Sequence, residues 1–357
     1  MTGPNMKNTH ERVDVLVAGA GLAGLYILYC LRQRGLTALA FEAGSGVGGT
    51  WYWNRYPGAR VDVESTQYSY HFSDELAREW KWSEKFAAQP ELLRYINHVA
   101  DRFGLRRDVK FDTRVTSARF DDAANLWTLR TDRGDIATAR YCIMATGSLS
   151  KPYRPPFPDL DDFRGDWYHT AMWPHEEVDF SGKRVGIVGT GSTGIQAIPV
   201  VAAQAKHLTV FQRTPNYTAP ARNRPLAPDE QREFQARHAL WREEVRHTFA
   251  AMTGFPLPTK FPHEDTPEQR RAFLEKRWKE GGMPQSLLTS YKGVNVDEQA
   301  NRVVADFVRD KIHEIVKDPK VAALLCPPLD LPIGSKRPPI DTDYYETFNR
   351  DNVTLVD

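Results

Sequence analysis

Two stretches of this chain carry glycines at a spacing that lets the main chain approach a phosphate. The first is Gly19-Ala20-Gly21-Leu22-Ala23-Gly24 and the second Gly189-Thr190-Gly191-Ser192-Thr193-Gly194, each a G-x-G-x-x-G. In such a loop the first glycine makes a tight turn, the second admits a pyrophosphate, and the third lets helix and strand pack closely. The helix N-terminus that follows adds partial positive charge. The two stretches differ in the residue that closes the next apolar run. Glu42 closes the first; it can accept hydrogen bonds from a ribose and repels a 2′-phosphate, which predicts the adenosine diphosphate of FAD or of NAD there. Gln212-Arg213-Thr214 closes the second, and a cation at Arg213 accommodates a 2′-phosphate, favouring NADPH over NADH. Acid in one and base in the other imply a flavin domain and a nicotinamide domain facing each other, with hydride passing from NADPH to FAD.

A glycine motif is weak without the elements that hold it. Residues 13–17 (VDVLV) read as a buried strand, 25–34 as a helix stopped by Gly35, and 37–41 as a second strand. Residues 184–188, 195–205 and 208–211 repeat that strand–helix–strand order. The predicted class is α/β, with two dinucleotide-binding (Rossmann-like) domains and an α-helical insertion. Residues 44–49 (GSGVGG) let backbone lie against a ligand, and Trp51 and Trp53 are placed to pack on a ring system. Asp62 follows a PGAR turn outside any charge run; a turn or cap carboxylate is the ordinary fate of such a residue. Residues 73–105 read as helical, with Leu92, Leu93, Ile96, Val99 and Phe103 on a core stripe. Residues 109–146 read as a β-meander beside the main sheet. Within it Val115 could lie over an adenine, although plain strand packing is the commoner role. The run YCIM ends in Ala145-Thr146-Gly147-Ser148, a small-residue strand end of the kind that faces ligands.

The prolines of KPYRPPFP (151–158) mark a linker. The expected division is residues 1–150 for FAD, 151–180 as linker, 181–225 with 331–357 for NADPH, and 226–330 as helical insertion. The insertion places Phe234, Trp241, Val245 and Phe249, then Val303, Val304, Phe307, Val308, Ile312, Ile315 and Val316, at helical spacing. Pro319 closes the last run, and no chemical motif is visible. The segment 332–341 (PIGSKRPPID) is a rigid turn with two adjacent cations. The final VTLV is expected to return to the second sheet as a strand.

Bulk properties narrow the function further. Lys plus Arg is 47 against 46 for Asp plus Glu, which argues against an electrostatic nucleic-acid or membrane partner. No apolar run reaches the ~18 residues of a membrane span. The polar N-terminus shows no signal peptide. Cys30, Cys142 and Cys326 are too far apart in sequence for a redox pair or a metal motif, which excludes a disulfide reductase, predicts no metal and fits a reducing cytoplasm.

Between the two nucleotide units lies FRGDWYHTAMWP (163–174), with Phe163, Gly165, His169, Trp173 and Pro174 in the pattern F-x-G-x-x-x-H-x-x-x-W-P. By composition it is an aromatic-rich connector. It resembles the fingerprint FxGxxxHxxx(F/W)(P/D) of the type I Baeyer–Villiger monooxygenases, the single-chain FAD- and NADPH-dependent kind. GGTWYWNRYPGARVDVES and GSKRPP look like that family too, and the resemblance runs over essentially the whole chain. It implies that Arg337 is the catalytic arginine and that Asp62 pairs with it. Lys336, Arg213 and Thr214 would bind the NADPH phosphate and ribose; Gly49, Thr50, Trp51 and Arg55 would lie along FAD; and His169 with its fingerprint would couple domain movements. The implied reaction takes NADPH, O2 and a small ketone through a C4a-peroxyflavin to an ester or lactone. The family also has a C-terminal segment that completes the FAD domain beyond these residues. Two alternatives share both nucleotide sites: a flavin monooxygenase acting on nitrogen or sulfur, against which Trp173-Pro174 argues, and a nucleotide-binding module without turnover.

Overall fold

The computed structural model describes residues 10–248, 252–253, 257–282 and 285–357. The polar N-terminal residues 1–9 and the stripe residue Phe249 lie outside the described residues. The packing gives two compact units, one running up to Arg55 and joined by Pro90–His175, the other made of Tyr56–Gln89 and Glu176–Asp357.

The first unit is built on one six-stranded mixed sheet. Its strands are β1 (His10–Ala18), β2 (Ala38–Phe41), β3 (Val109–Lys110), β4 (Val115–Asp121), β5 (Leu126–Thr131) and β6 (Ile136–Met144), in the order β3-β2-β1-β6-β5-β4. Residues 15–18 of β1 are all buried, because a central parallel strand is covered on both faces. The meander β4–β6 continues this sheet, since β6 pairs with β1 in parallel while β5 pairs with β6 and β4 antiparallel. Ala18 stands opposite both Phe41 and Met144. Three strands therefore end level, and Gly19, Glu42 and Ala145 emerge side by side. The helix Leu22–Gln33 follows Gly21 directly.

The second unit contains a smaller parallel sheet. Its strands β7 (Arg184–Val188) and β8 (His207–Phe211) flank the helix Ser192–Gln204 in sequence. A two-residue parallel pair follows, β9 (Ala219–Pro220) with β10 (Ile340–Asp341). The closing strand β11 (Val353–Val356) pairs with β8, giving the order β11-β8-β7. The terminal VTLV thus returns to the second sheet as its pattern indicates. Between β9 and β10 lie the helices Pro228–Val245, Pro267–Glu280, Gln285–Leu288, Glu298–Ile315 and Pro319–Leu325. The stripe Val304, Phe307, Val308 and Ile312 is buried as its spacing predicts. Pro319 behaves differently from the expectation. It opens a helix at N1 behind the cap Asp318, whose carboxylate accepts from Lys320 N at 2.8 Å, because the missing N–H of proline costs nothing in a first turn.

The insertion is tied to residues 71–74 by an aromatic–imidazole cluster in which His238 is buried and His71 and Trp241 are half-buried. His238 Nδ1 lies 2.7 Å from Asp74 Oδ1, and the His71 ring packs against those of His238 and Trp241. Burial first, then the neighbouring His238 and Arg242, holds the His71 pKa down at about 4, against 6.5 in its ordinary environment. The unfolded chain therefore takes up a proton below pH 6.5 that the native state refuses until about pH 4, so stability rises with pH across that window. The expected slope from this one group approaches 1.4 kcal/mol per pH unit, roughly one proton's worth. Urea denaturation between pH 4.5 and 7 checks it: His71→Phe is expected to flatten the slope, and an unchanged slope would assign the acid sensitivity elsewhere.

Candidate functional site

In the first unit the glycine motif is packed by its own chain. Gly19 has φ +104°, and a Cβ there would run into the Ala145 carbonyl. A Cβ on Gly24 would overlap the Gly19 carbonyl oxygen, which is the close helix–strand packing that the third glycine permits. Gly21 and Gly49 face each other, each standing where the other's Cβ would go. Gly21 caps the helix without a side-chain cap bond, and no acidic residue lies in the first turn. A helix N-terminus placed this way carries partial positive charge toward the loop.

Glu42 is only 5 % exposed, and its carboxylate holds the loop itself: Oε2 accepts from Ala20 N at 2.7 Å and Oε1 from Gly44 N at 2.8 Å. Two acceptor directions remain for a ribose, but organising the main chain is a role the acid already fills. The glycine run 44–49 also has an internal reason. Cβ atoms on Gly44, Gly46 and Gly48 would each crowd Tyr52, whose hydroxyl meets Ser45 Oγ at 2.7 Å. Thr50 is exposed and Trp51 buried in the short helix Thr50–Trp53. Arg55 turns back, donating to Tyr52 O at 3.0 and 2.7 Å. Val115 packs half-buried against the sheet core of Leu16, Leu39, Phe41 and Leu129.

The second motif is open. Gly189 again has φ +104°, and Cβ atoms on Gly189 or Gly191 would meet nothing within 4 Å, while one on Gly194 would overlap the Gly189 carbonyl oxygen. Gly191 caps the helix Ser192–Gln204, again with no side-chain cap bond. Gln212, where the first unit has its acid, is buried and donates to Leu324 O at 2.8 Å. Arg213 beside it is exposed, and Thr214 is half-buried with its carbonyl accepting from Thr190 Oγ1 at 3.3 Å.

The same unit brings together Asp62 and Arg337. Arg337 Nη2 stands 2.8 Å from Asp62 Oδ2, with the arginine side chain 63 % exposed and the aspartate 23 %. Asp62 is delivered by the PGAR turn, which sits on the helix Ser192–Gln204. Gly58 has φ +81°, and any Cβ there would overlap the Gln196 carbonyl. The Gln196 side chain accepts from Tyr56 Oη at 2.9 Å and donates to Arg60 O at 3.1 Å. Tyr56 and Gln196 escape a motif search, since only the folded turn shows what Gly58 accommodates. Lys336 is exposed next to Arg337, and Pro338 and Pro339 behind them are buried.

The fingerprint residues lie in the first unit. Gly165 is covered by the Phe163 ring, which is itself 59 % exposed. His169 Nδ1 accepts from Ala171 N at 3.2 Å, capping the turn Thr170–Met172, and its Nε2 lies 3.0 Å from Tyr153 O. Trp173 packs on Tyr168 at 5.3 Å between centroids, with Pro174 half-buried next to it. His169 is thus a local staple between 153 and 171.

Residues 16–253 match the model of the pyridine nucleotide-disulphide oxidoreductase family. An acetone monooxygenase (methyl acetate-forming) of Gordonia sp. is 45% identical over 345 residues, 96% of this chain and 64% of that protein. A Baeyer–Villiger monooxygenase of Pseudooceanicola batsensis is 43% identical over 354 residues, 99% of this chain and 64% of its own length. The structure of an oxidized steroid monooxygenase bound to NADP superposes with a TM-score of 0.92 at 53% identity, covering 97% of this chain and 65% of that one. The chain belongs to the Baeyer–Villiger monooxygenase family. It spans 64% of the length of those two curated relatives. The two-Rossmann α/β class read from the sequence is the fold of this family. A phenazine N-monooxygenase of Lysobacter antibioticus, 41% identical over 98% of this chain and 64% of its own, lies within the same range of similarity.

In this member of the family the buried acid makes a distinctive prediction. Glu42→Gln turns one acceptor into a donor facing a main-chain N–H, so it is expected to destabilise the chain by about 1–3 kcal/mol with no nucleotide present. Urea denaturation of the nucleotide-free protein reads this. Wild-type stability in the variant would mean that Glu42 serves the ligand alone.

Proposed function

We propose that the chain is the nucleotide-binding portion of a flavoprotein monooxygenase that uses NADPH and O2 to insert one oxygen beside a ketone carbonyl, giving an ester or lactone. The observation that carries this reading is the Arg337–Asp62 pair at 2.8 Å, standing in the same unit as an open glycine motif followed by Arg213. The residues present fit both dinucleotides. Two helices begin at glycines with no side-chain cap, and the second motif leaves empty space where a Cβ would lie. Residues 1–150 would take FAD along Gly19, Gly21, Gly49, Thr50, Trp51 and Arg55. Residues 181–225 with 331–357 would take NADPH, its 2′-phosphate and ribose held by Arg213, Thr214 and Lys336. Bound FAD, reduced by NADPH, supplies activated oxygen for the substrate.

The chain's own contribution is electrostatic. A guanidinium stays charged at any working pH, so Arg337 offers a fixed cation to the oxygen on which negative charge builds as the ketone carbon becomes tetrahedral. Asp62 restrains that cation without adding a second role. We read the fingerprint 163–174 as a joint that couples domain movements, with no group touching the substrate. The three cysteines are free thiols, which suits a reducing compartment such as the cytoplasm. A second reading, oxidation at nitrogen, draws on the similarity to the phenazine N-monooxygenase.

In the full-length FAD-loaded protein, Arg337→Ala is expected to leave NADPH reduction of the flavin in place while ester formation falls on the order of 10²–10³. Stopped-flow flavin absorbance and product analysis separate the two. Ester at the wild-type rate would remove Arg337 from the chemistry, and loss of reduction as well would make it a binding residue. An N-oxide from an amine substrate, with no ester from any ketone, would establish the second reading.

A further inference from the structure

We infer that Asn301 is a positioning residue for Arg337, through which the helical insertion sets where the arginine stands; this rests on the function proposed for Arg337. Asn301 lies in the helix Glu298–Ile315 and is 8 % exposed. Its Oδ1 accepts from Ile333 N at 3.0 Å, and its Nδ2 donates to Ile333 O at 2.8 Å and to Val294 O at 2.8 Å. One side chain therefore pairs both main-chain groups of a buried residue four positions before Arg337. Among side chains, only a primary amide presents donor and acceptor in this way, acting like the edge of a neighbouring strand.

The same helix holds the approach to the loop. Arg309 Nε donates to Pro327 O at 2.9 Å and its Nη2 to Pro328 O at 2.9 Å, while Tyr217 Oη donates to Leu331 O at 2.9 Å. Beyond Ile333 the chain turns at Gly334, φ +94°, and residues 334–337 stand exposed before Pro338 and Pro339 bury again. The far side is fixed by Asp341, whose carboxyl accepts from Thr218 Oγ1 and from Tyr344 N at 3.3 Å. The two cations are thus carried on a short bridge with an anchor at each end. Asn301 is the near anchor, and it belongs to an element that touches neither glycine motif by sequence. Releasing it frees the bridge on one side, and a displacement of about 1 Å at a charged group is enough to cost catalysis.

Amide hydrogen exchange on the purified chain tests this without turnover. In Asn301→Ala the peptide covering 329–337 is expected to exchange about tenfold faster or more, from the loss of partners for one buried main-chain N–H and C=O. Peptides of β7, β8 and β11 should keep their wild-type rates. Gly334→Ala, which strains the bridge at φ +94° and presses a Cβ against Leu288 while leaving the Asn301 bonds in place, should give the same local signature. Where Asn301→Ala does not yield folded protein, Asn301→Gln, with donor and acceptor on a longer arm, takes its place with the same local rise expected. Wild-type exchange at 329–337, or an equal rise throughout the second unit, overturns the inference. In the full-length FAD-loaded protein, Asn301→Ala should lower ester formation at least tenfold while NADPH still reduces the flavin at its normal rate; an equal fall in both means mere loss of folded enzyme and counts against positioning. If the wild type makes no ester, the proposed function fails, and the exchange rates alone decide whether Asn301 sets the bridge.

Discussion

The ion pair between Arg337 and Asp62 is the contact on which the site depends, and it is too weak to place itself. The guanidinium is 63 % exposed, and an exposed pair contributes only about 0–1 kcal/mol once screening and side-chain entropy are counted. Its 2.8 Å geometry must therefore be imposed by whatever fixes the two backbones. On the Asp62 side, that is the seating of Gly58 on the helix Ser192–Gln204, with Gln196 bonded to Tyr56 and Arg60. On the Arg337 side, it is a bridge bounded by Asn301 and by the buried stretch from Pro338 to Asp341. Strong, buried, uncharged contacts hold a weak charged one in place. In the function proposed for it, Arg337 needs to stay free to respond to charge developing on a substrate, and a pair of this exposure leaves it so.

Two copies of one glycine pattern show how differently the same letters can be used. The third glycine works alike in both, since a Cβ on Gly24 or on Gly194 would strike the carbonyl of the first glycine. The other two diverge. Gly19 and Gly21 are hemmed in by Ala145 and Gly49, whereas Gly189 and Gly191 look onto open space. The acid and its counterpart diverge as well. Glu42 spends two acceptor directions on Ala20 and Gly44, and Gln212 spends its amide on Leu324. In both units the residue following the second strand ties that strand to its surroundings, and in the second the charge stands one place on, at exposed Arg213.

Periodicity and glycine spacing made the strands, both strand–helix–strand units and the return of VTLV legible, because each is set by local pattern and burial. The pairing of Asp62 with Arg337 was legible only through family resemblance, since no local rule links a PGAR turn to a KRPP turn. What stayed hidden has a common physical cause. Gly44, Gly46 and Gly48 look like a ligand cradle in sequence, yet each makes room for Tyr52 a few residues on. Pro319 reads as a helix stop until Asp318 is seen capping the next helix. Residues 56–62 fall within the 1–150 span assigned to FAD by sequence, but they pack with the second unit. In each case the deciding partner is a side chain or carbonyl that a one-dimensional pattern leaves unspecified.

The insertion makes the point most sharply. Its helical spacing is legible in the sequence, but with no chemical motif the segment looks silent there. Asn301 and Arg309 lie on the buried side of the same helix as Val304, Phe307, Val308 and Ile312. A polar residue on such a face is unfavourable unless it is fully bonded, so its presence signals a partner with main-chain groups to satisfy. That partner is the prolyl-rich segment 327–333, where prolines remove N–H donors and leave carbonyls in need of external donors. Arg309 and Asn301 supply them. The stretch without a motif is thus explained by the segment that leads to the cations: a backbone interrupted by proline keeps only local turn bonds such as Leu331 N to Pro328 O at 3.0 Å, and the helix packed against it supplies further donors to Pro327 O, Pro328 O and Ile333 O.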